Sequence, residues 1–438
     1  MNTPGSVKPL ERAKAFTDFL GIRLPILLAP MAGACPPSLS IAVANAGGLG
    51  ACGALLMAPD AILTWTREFR QGGNGEFQLN LWVPDPPPIR DPECESRQRE
   101  FLAAWGPAVE ETAGNTTLPD FEAQCQAMLE ARPRVISSTM GLHSPDFVTE
   151  MKSRGILWFG TATTVEEALA AEAAGADAIV AQGMEAGGHR GAFQADQAES
   201  RMVGLIALLP QIADAVSIPV VAAGGIGDAR GVAAALMLGA SAVEIGTGFL
   251  RSHESSIPSA YAQRLGVTEA HHTVVTRAFT GRAGRSISNT FVRASAEKAA
   301  PAPALYPVQR GLTGGMREDA IKSGDTERMQ MWAGQAAKFA QTRPAGDIAR
   351  ELWAGASRLL SWLNTWASVR ASQQRRPSVF ARGEDPQRPD EPSPSVAAAL
   401  ALASSEERTF YRPPEFCKFW RSFARAFLSS FAVIIGPY

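Results

Sequence analysis

Between about residue 24 and residue 250 the chain alternates short apolar runs with longer helical segments, and this alternation restricts the fold more than any other feature. The apolar runs lack strict alternation with polar residues. Strands that are apolar on both faces are typical of a parallel sheet covered by helices. We interpret eight runs as strands: residues 25–30, 49–55, 77–83, 134–141, 156–162, 177–183, 218–225 and 241–247.

Helical segments separate and follow these strands. Ser38 is a candidate N-cap of the first one, and Gly47 is a candidate C-terminal stop. Eight strand–helix units in roughly 230 residues predict an α/β fold of the (β/α)8 TIM-barrel type, and a doubly wound open sheet is the alternative. The predicted helices are residues 38–46, 59–69, 95–105, 120–131, 146–155, 164–175, 202–215 and 228–239.

A weak internal repeat supports the barrel. The stretch GADAIVAQG at 175–183 aligns without a gap on GASAVEIGT at 239–247, and each follows an Ala-rich helix. Gln182 then falls opposite Gly246. Both residues end a strand, on the face where barrel active sites form.

Composition changes beyond the barrel and predicts three parts. Residues 20–250 are the barrel, and residues 251–360 are an additional helical lobe on the substrate side, with helices expected at 254–266 and 325–340 and a connector at 274–292. Residues 361–438 form a low-complexity linker and an amphipathic C-terminal tail, and we predict disorder over 371–395. Aromatic residues at helical spacing mark 416–435.

Charge and cysteine usage exclude several classes of protein. The formal net charge of −2 argues against a nucleic-acid binder, and five scattered cysteines with five histidines make neither a disulfide framework nor a metal site. The N-terminus lacks the apolar region of a secretory signal, and no apolar run is long enough for an integral membrane segment. We therefore expect a cytoplasmic protein.

The stretch GLGACG at 48–53 fits the G-x-G-x-x-G spacing of dinucleotide-binding loops. That fingerprint requires a strand, then the glycines, then a helix. Here a predicted helix precedes the glycines and a strand follows them. The order favours a helix end followed by a glycine-rich strand.

Two later glycine pairs are better placed to bind phosphate. Gly224 and Gly225 end the seventh strand, and Gly246 and Thr247 end the eighth. In barrels the loops after these strands often hold a phosphate, and a helix starting near Asp228 can point its positive end at the same place. The alternative is a pair of tight strand–helix turns.

The stretch QGMEAGGHRG at 182–191 follows the sixth strand. His189 can take or give a proton near neutral pH. The alternative is a loop histidine that only makes local hydrogen bonds. Neither a nucleophile elbow nor a strand-end lysine suggests hydrolase or Schiff-base chemistry.

Taken together, APMAG at 29–33, NAGGLGACG at 45–53, LNLW at 79–82, QGMEAGGHRG at 182–191, AAGGI at 222–226 and EIGT at 244–247 resemble the nitronate monooxygenase family, class I in particular. The resemblance covers about residues 20–360. It implies an FMN-binding barrel that oxidises alkyl nitronates, such as propionate 3-nitronate, with O₂ to carbonyl compounds and nitrite. We expect a monomer or homodimer.

By position, the resemblance assigns His189 as the catalytic base for nitroalkanes, whereas a nitronate is already an anion and needs no base. It places the other residues at the cofactor. Those expected at the flavin ring are Ala29, Met31, Asn80, Gln182, Gly187 and Gly188; those expected at or beside the phosphate are Gly224, Gly225, Glu244, Ile245, Gly246 and Thr247.

Two loops depart from the family pattern, and two other functions stay open. Cys35 and the prolines after it alter the first loop, and His143 follows the fourth strand, so either could reshape the substrate pocket. The nearest alternative is an NADH-dependent flavin reductase of the enoyl-acyl-carrier-protein or quinone type. An alternative of another class is a non-redox phosphate-binding barrel such as an isomerase.

Overall fold

The computed structural model describes the backbone of residues 7–374 and the side chains of residues 7–362. Eight parallel strands form one sheet in the order β1-β9-β8-β6-β5-β4-β3-β2. Their bounds are β1 Ile26–Leu28, β2 Gly50–Gly53, β3 Phe77–Trp82, β4 Val135–Thr139, β5 Leu157–Ala162, β6 Ala178–Gln182, β8 Val220–Ala223 and β9 Ala242–Ile245.

The sheet closes on itself between its first and last strands. Leu28 donates its backbone N–H to the Leu49 carbonyl at 2.9 Å, and Leu49 donates to the Ile26 carbonyl at 3.1 Å. Parallel strands that close in this way, with helices outside, form a (β/α)8 barrel. The predicted barrel is confirmed, and the doubly wound alternative is wrong.

The eight predicted barrel helices are also confirmed. They are α2 Pro37–Ala46, α3 Pro59–Gly72, α4 Pro92–Leu102, α5 Phe121–Ala131, α6 Pro145–Ser153, α7 Val165–Ala173, α8 Leu205–Ala215 and α9 Ala229–Met237. Gly47 ends α2 in the left-handed conformation, with a φ of 109°. Ser38, however, lies inside α2, whose N-cap is Pro36, so the capping prediction was wrong. Pro37 occupies the first helical position instead.

A further helix, α1 (Pro9–Leu20), closes the N-terminal end of the barrel and was not predicted. Its buried residues include Ala13, Phe16 and Leu20, at the spacing of one helix face. Phe16 packs against Phe159 of β5 with ring centroids 6.1 Å apart. The barrel interior is therefore filled with apolar side chains at this end, which leaves the opposite end for a site.

Residues beyond 250 combine helices with a small antiparallel sheet. Strand β7 (Gly188–His189) pairs with β11 (Gly284–Ile287), which pairs with β10 (Thr273–Thr276). The predicted connector thus contains two strands. The helix expected at 325–340 is wrong, because only Ala337–Phe339 form a short 3-10 turn there. The helices of this part are α10 Ser259–Val267, α11 Thr290–Ser295, α12 Val308–Leu312, α13 Gly314–Ser323 and α14 Ala345–Gln374.

The predicted C-terminal tail falls almost wholly outside the described residues. Helix α14 continues past residue 361 to Gln374. The remainder of the predicted linker and the amphipathic segment 416–435 lie beyond it. Within the part of the chain that the structure describes, no helix combines the length and the apolar character needed to cross a membrane.

Candidate active site

A cavity of about 480 Å³ lies at the carboxyl ends of the barrel strands, where the sequence predicts the site. Residues of the barrel loops form its floor, and residues 256–336 contribute to its walls. All thirteen residues predicted for the site line this one cavity: Ala29, Met31, Asn80, Gln182, Gly187, Gly188, His189, Gly224, Gly225, Glu244, Ile245, Gly246 and Thr247.

The glycine pairs at the ends of β8 and β9 present backbone donors to the cavity. Gly224 and Gly225 have φ values of +109° and +69°, which side chains other than glycine rarely adopt. Among the described residues, the N–H groups of Gly224, Gly225 and Gly246 donate to no protein acceptor. Thr247 accepts a hydrogen bond from the Gly334 N–H at 3.0 Å, which leaves its hydroxyl proton free to donate. Donors arranged in this way can bind phosphate oxygens.

The helix after this loop does not contribute as predicted. Asp228 caps α9, and its carboxylate accepts hydrogen bonds from the N–H groups of Arg230 and Gly231. These donors of the first turn are therefore already bonded to a carboxylate. The cavity is lined up to Ile226 but not by Asp228 or α9. The glycine loop, and not the end of the helix, lines the cavity.

One glycine of the GLGACG stretch at 48–53 forms part of the cavity wall. Gly53 ends β2 and lines the cavity, and a Cβ added there would lie 2.6 Å from the Ala32 backbone nitrogen. The order of helix, glycines and strand excludes the dinucleotide-binding arrangement. Glycine is required at this position because the first barrel loop packs directly against β2.

His189 is held in place by contacts on several sides. Its Nε2 lies 2.8 Å from Thr280 Oγ1, and its ring packs between Trp82 and Trp332 with centroid distances of 4.6 Å on both sides. Gln182 fixes the backbone of the same loop, since its amide donates to the His189 carbonyl at 3.2 Å and accepts from the Gly191 N–H at 2.8 Å. The imidazole is therefore fixed in orientation at the cavity wall.

The electrostatic surroundings keep His189 neutral. Burial, together with the positive charges of Arg282 and Arg310, lowers the pKa of His189 to about 3. At neutral pH the ring thus carries one proton on its two nitrogens. A neutral imidazole can accept a proton, as a general base must.

Glu244 is a buried acid at the floor of the cavity. Gln78 donates a hydrogen bond to its carboxylate at 2.9 Å and a second to the Leu28 carbonyl at 3.0 Å. Burial raises the pKa of Glu244 to about 7, and the hydrogen bond from Gln78 opposes this effect. The side chain therefore exchanges its proton near physiological pH.

Asn80 reaches the site from β3. Its amide nitrogen lies 3.0 Å from Ser137 Oγ and 3.1 Å from Thr139 Oγ1, both on the neighbouring strand β4. The same nitrogen lies 3.2 Å from the Ser137 carbonyl oxygen. Since a carbonyl can only accept and an amide nitrogen can only donate, this contact fixes which end of the Asn80 amide faces β4. Its position on the cavity wall is thereby determined by the strand pairing of β3 with β4.

Sequence analysis did not identify several residues that line the cavity. Thr280, Tyr306, Arg310, Arg317, Gln330 and Trp332 all come from the part beyond residue 250. The Arg- and Gly-containing connector 274–292 was noted, but without assigned roles. A search for polar and aromatic residues in this region would have found candidates, yet nothing local indicates which of them face the barrel.

Neither departure from the family pattern reaches the cavity itself. His143 is 5% exposed and packs among Phe121, Phe147 and Trp158, away from the lining residues. Cys35 is buried within the first loop, where its Sγ accepts a hydrogen bond from the Met31 N–H at 3.4 Å. Their influence on the pocket is at most indirect, through Met31 and the loop after β4.

Comparisons with known proteins agree with this arrangement. A family model described as nitronate monooxygenase matches residues 13–355. A probable nitronate monooxygenase of Staphylococcus aureus strain Newman is 38% identical over 335 residues, covering 76% of this chain and 94% of that protein. A nitronate monooxygenase of Paraburkholderia phytofirmans is 39% identical over 346 residues, covering 77% and 94%.

Solved structures show the same relationship. A nitroalkane oxidase from Streptomyces ansochromogenes superposes with a TM-score of 0.72 at 36% identity and covers 80% of this chain and 99% of its own. FabK from Thermotoga maritima gives a TM-score of 0.63 at 29% identity, with 80% and 98% covered. The chain therefore belongs to the nitronate monooxygenase family and is an oxidoreductase of the flavoprotein type.

Proposed function

We propose that the protein uses FMN to oxidise alkyl nitronates with O₂, giving carbonyl compounds and nitrite. The observation that carries this proposal is the convergence of His189 and the glycine ends of β8 and β9 on one cavity. Family membership supports flavin-dependent oxidation of nitronates in general. Beyond this general activity, we propose O₂ as the electron acceptor, FMN as the flavin, and the roles of individual residues given below.

The donor set of the cavity fits a phosphate-bearing flavin. Gly224, Gly225, Gly246 and Thr247 would hold the phosphate, with Glu244 and Ile245 beside them. A side chain at position 225 would crowd the Glu185 side chain, since an added Cβ lies 3.1 Å from the Glu185 Cβ. Residues expected at the ring are Ala29, Met31, Asn80, Gln182, Gly187 and Gly188. The bound flavin supplies the electron transfer between the nitronate and O₂.

His189 would act as the base for neutral nitroalkanes. Such a substrate must lose an α-proton before it becomes a nitronate, and the neutral imidazole can accept that proton. Formation of the imidazolium is opposed by the nearby arginines. It is favoured when the nitronate anion forms next to it, because opposite charges stabilise each other at short range.

Two arginines give the cavity a preference for anions. Arg310 and Arg317 line its wall, and within the described residues neither forms an ion pair with an acidic side chain. Arg317 is held by Thr313 Oγ1 at 3.1 Å and by the Arg310 carbonyl at 2.8 Å. A nitronate is an anion, so these charges support the proposed substrate class.

We further propose that residues 251–360 act as the substrate-side lobe that completes the catalytic unit, and that residues 361–438 are a linker and C-terminal tail. Residues between 256 and 336 form walls of the cavity, and this supports the assignment of the substrate-side lobe. Our proposal also includes a cytoplasmic location and a monomer or homodimer that needs no macromolecular partner.

The test is the visible spectrum of the purified protein, followed by nitrite release from propionate 3-nitronate under air. We expect a flavin spectrum, with FMN released on denaturation, and nitrite formed in step with O₂ consumption. Absence of nitrite from a protein loaded with flavin would refute the proposed reaction. Oxidation of NADH without added nitronate would instead favour the reductase alternative, which the family match does not favour.

One variant tests the role of His189 as a base independently of the rest of the site. His189→Asn should retain FMN and much of the nitronate turnover but lose nitroalkane turnover by about 10² to 10⁴-fold, the usual contribution of a general base. Equal losses on both substrates would refute the role of His189 as a base.

A further inference from the structure

The two ring nitrogens of His189 have different surroundings. Nε2 lies 2.8 Å from Thr280 Oγ1, whereas Nδ1 has no hydrogen-bond partner among the described residues. The ring is packed between Trp82 and Trp332, so it cannot rotate freely and the two nitrogens keep their separate positions. Only the position of the single proton on the neutral ring is then undecided.

The second contact of Thr280 decides where that proton lies. Thr280 Oγ1 is 3.3 Å from the Arg282 carbonyl oxygen and 3.4 Å from the Arg282 backbone nitrogen. Within the described part of the chain, the Arg282 carbonyl has no other recorded donor, and Arg282 is only 1% exposed. Because a buried carbonyl needs a donor, the threonine hydroxyl proton points to Arg282.

A hydroxyl has one proton to donate and accepts with its lone pairs. Once the Thr280 proton is given to the Arg282 carbonyl, Oγ1 can only accept from His189. Its bond to His189 therefore requires a proton on Nε2. The opposite tautomer would direct the hydroxyl proton to Nε2 and leave the Arg282 carbonyl without a donor.

We propose that Thr280 is a positioning residue that holds His189 in the Nε2–H tautomer, so that Nδ1 is the atom that accepts the substrate proton. This inference rests on the proposed function. In the step, the α-C–H bond of the nitroalkane breaks and its electron pair moves into the nitro group, giving the nitronate. The proton forms a bond to Nδ1, and the ring becomes an imidazolium with Nε2–H still bonded to Thr280.

The first test reads the tautomer directly and needs no turnover. Long-range ¹H–¹⁵N correlation spectra of ¹⁵N-histidine-labelled holoenzyme distinguish the two neutral tautomers by which nitrogen carries the proton, and His189→Asn identifies the signal. We expect Nε2–H in the wild-type protein at neutral pH. A wild-type spectrum that shows Nδ1–H would overturn the proposal.

The second test uses Thr280→Val, which keeps the side-chain shape but removes the hydroxyl, and Thr280→Ser, which restores it. We compare nitroethane with ethyl nitronate, which share a carbon skeleton but differ in their need for a base. The ratio of nitroalkane to nitronate kcat/KM should fall at least about tenfold in Thr280→Val. It should return to within about threefold of the wild-type ratio in Thr280→Ser.

Thr163→Val is the matched control. Thr163 is 2% exposed, and its hydroxyl lies 2.7 Å from a Glu167 carboxylate oxygen, outside the cavity. Loss of the Thr163 hydroxyl should leave the ratio of nitroalkane to nitronate kcat/KM unchanged. An unchanged ratio of nitroalkane to nitronate kcat/KM in Thr280→Val would overturn the proposal. If that variant does not fold, the tautomer seen in the wild-type spectrum decides the question. Failure of the wild-type protein to oxidise either substrate would refute the proposed function instead.

Discussion

Asp85, in the proline-rich segment after β3, forms an ion pair with Arg282, which is 197 positions later in the chain and fully buried beside the active site. Arg282 also donates to the Ala192 carbonyl at 2.7 Å. The pair joins a barrel loop to the segment that carries Thr280. It thereby fixes the region next to His189 on which the proposed proton transfer depends.

Replacement of Asp85 should destabilise the protein. In Asp85→Asn, the charge of Arg282 would remain buried without its partner, and we expect a loss of about 2 kcal/mol in the free energy of unfolding, since Asp85 is partly open to water. Urea unfolding measures the change. Glu351→Gln, which removes the exposed partner of Arg343, should change it by less than about 1 kcal/mol. Equal effects of both variants would contradict the structural role of the Asp85 pair.

Gly224 should be required for binding of the flavin phosphate. A Cβ in Gly224→Ala would lie 2.9 Å from the Ala186 backbone nitrogen, on a residue with a φ of +109°. We expect the flavin content after purification to fall at least about tenfold, corresponding to about 1.4 kcal/mol or more of lost binding free energy. The ratio of flavin to protein absorbance measures it.

Gly155→Ala is the matched control for this effect. Gly155 also has a positive φ, of +70°, but a Cβ there would contact nothing within 4 Å, and the residue lies outside the cavity. Both variants carry backbone strain of about 1–2 kcal/mol. Only Gly224→Ala should lose flavin. Comparable flavin loss in Gly155→Ala would attribute the effect to stability alone.

His143 should make the protein sensitive to acid. Burial lowers the pKa of His143 to about 4, whereas an unfolded histidine titrates near 6.5, so the unfolded state binds more protons between these values. Stability from the neutral ring is complete above about pH 6.5 and is lost as the pH falls towards 4. The loss amounts to about 3 kcal/mol.

His143→Leu should remove the contribution of His143 to this pH dependence and leave that of His189, whose pKa burial lowers as well. Both ring nitrogens of His143 are buried without a hydrogen-bond partner in the described part of the chain, so an apolar side chain should be at least as stable at pH 7.5. Thermal unfolding at pH 7.5 and pH 4.5 compares the variants. The exposed His253→Gln should retain the wild-type acid sensitivity. A similar pH dependence in His143→Leu and the wild-type protein would argue against the role of His143.

Arg310 should contribute to binding of anionic substrates. Arg310→Gln should raise KM for ethyl nitronate about tenfold, as expected for the loss of one charge-assisted contact of about 1.4 kcal/mol. The KM for neutral nitroethane should change less. Steady-state kinetics at fixed ionic strength provide the measurement, with the exposed Arg343→Gln as the control. Equal changes for both substrates would contradict an electrostatic role.

The charge of Arg310 also lowers the pKa of His189. Arg310→Gln should therefore raise that pKa, and protonation of His189 should begin at a higher pH. The same ¹⁵N-histidine spectra, recorded as a titration, follow this shift. An unchanged His189 titration would show that Arg310 does not act on the base.

The barrel and the floor of the site were predictable because their signals are local. Each strand is marked by its own apolar run, and each strand end lies by topology at the same face, so Gln182 and Gly246 line the same cavity although they are 64 positions apart. The order of helix, glycines and strand around residues 48–53 was enough to exclude a dinucleotide loop. Local glycine patterns likewise indicated positions 224, 225 and 246, which line the same cavity.

The sequence by itself determined the (β/α)8 barrel, the position of the site and most of its floor. Only the tertiary structure decided the form of the segment at 325–340, the burial of His143, and the contacts of His189 with Thr280 and of Arg282 with Asp85. The physical reason is the distance along the chain over which each feature is determined. Strand and helix periodicity depend on neighbouring residues, whereas the tautomer and charge state of His189 depend on groups from about 90 to 120 positions away in the chain.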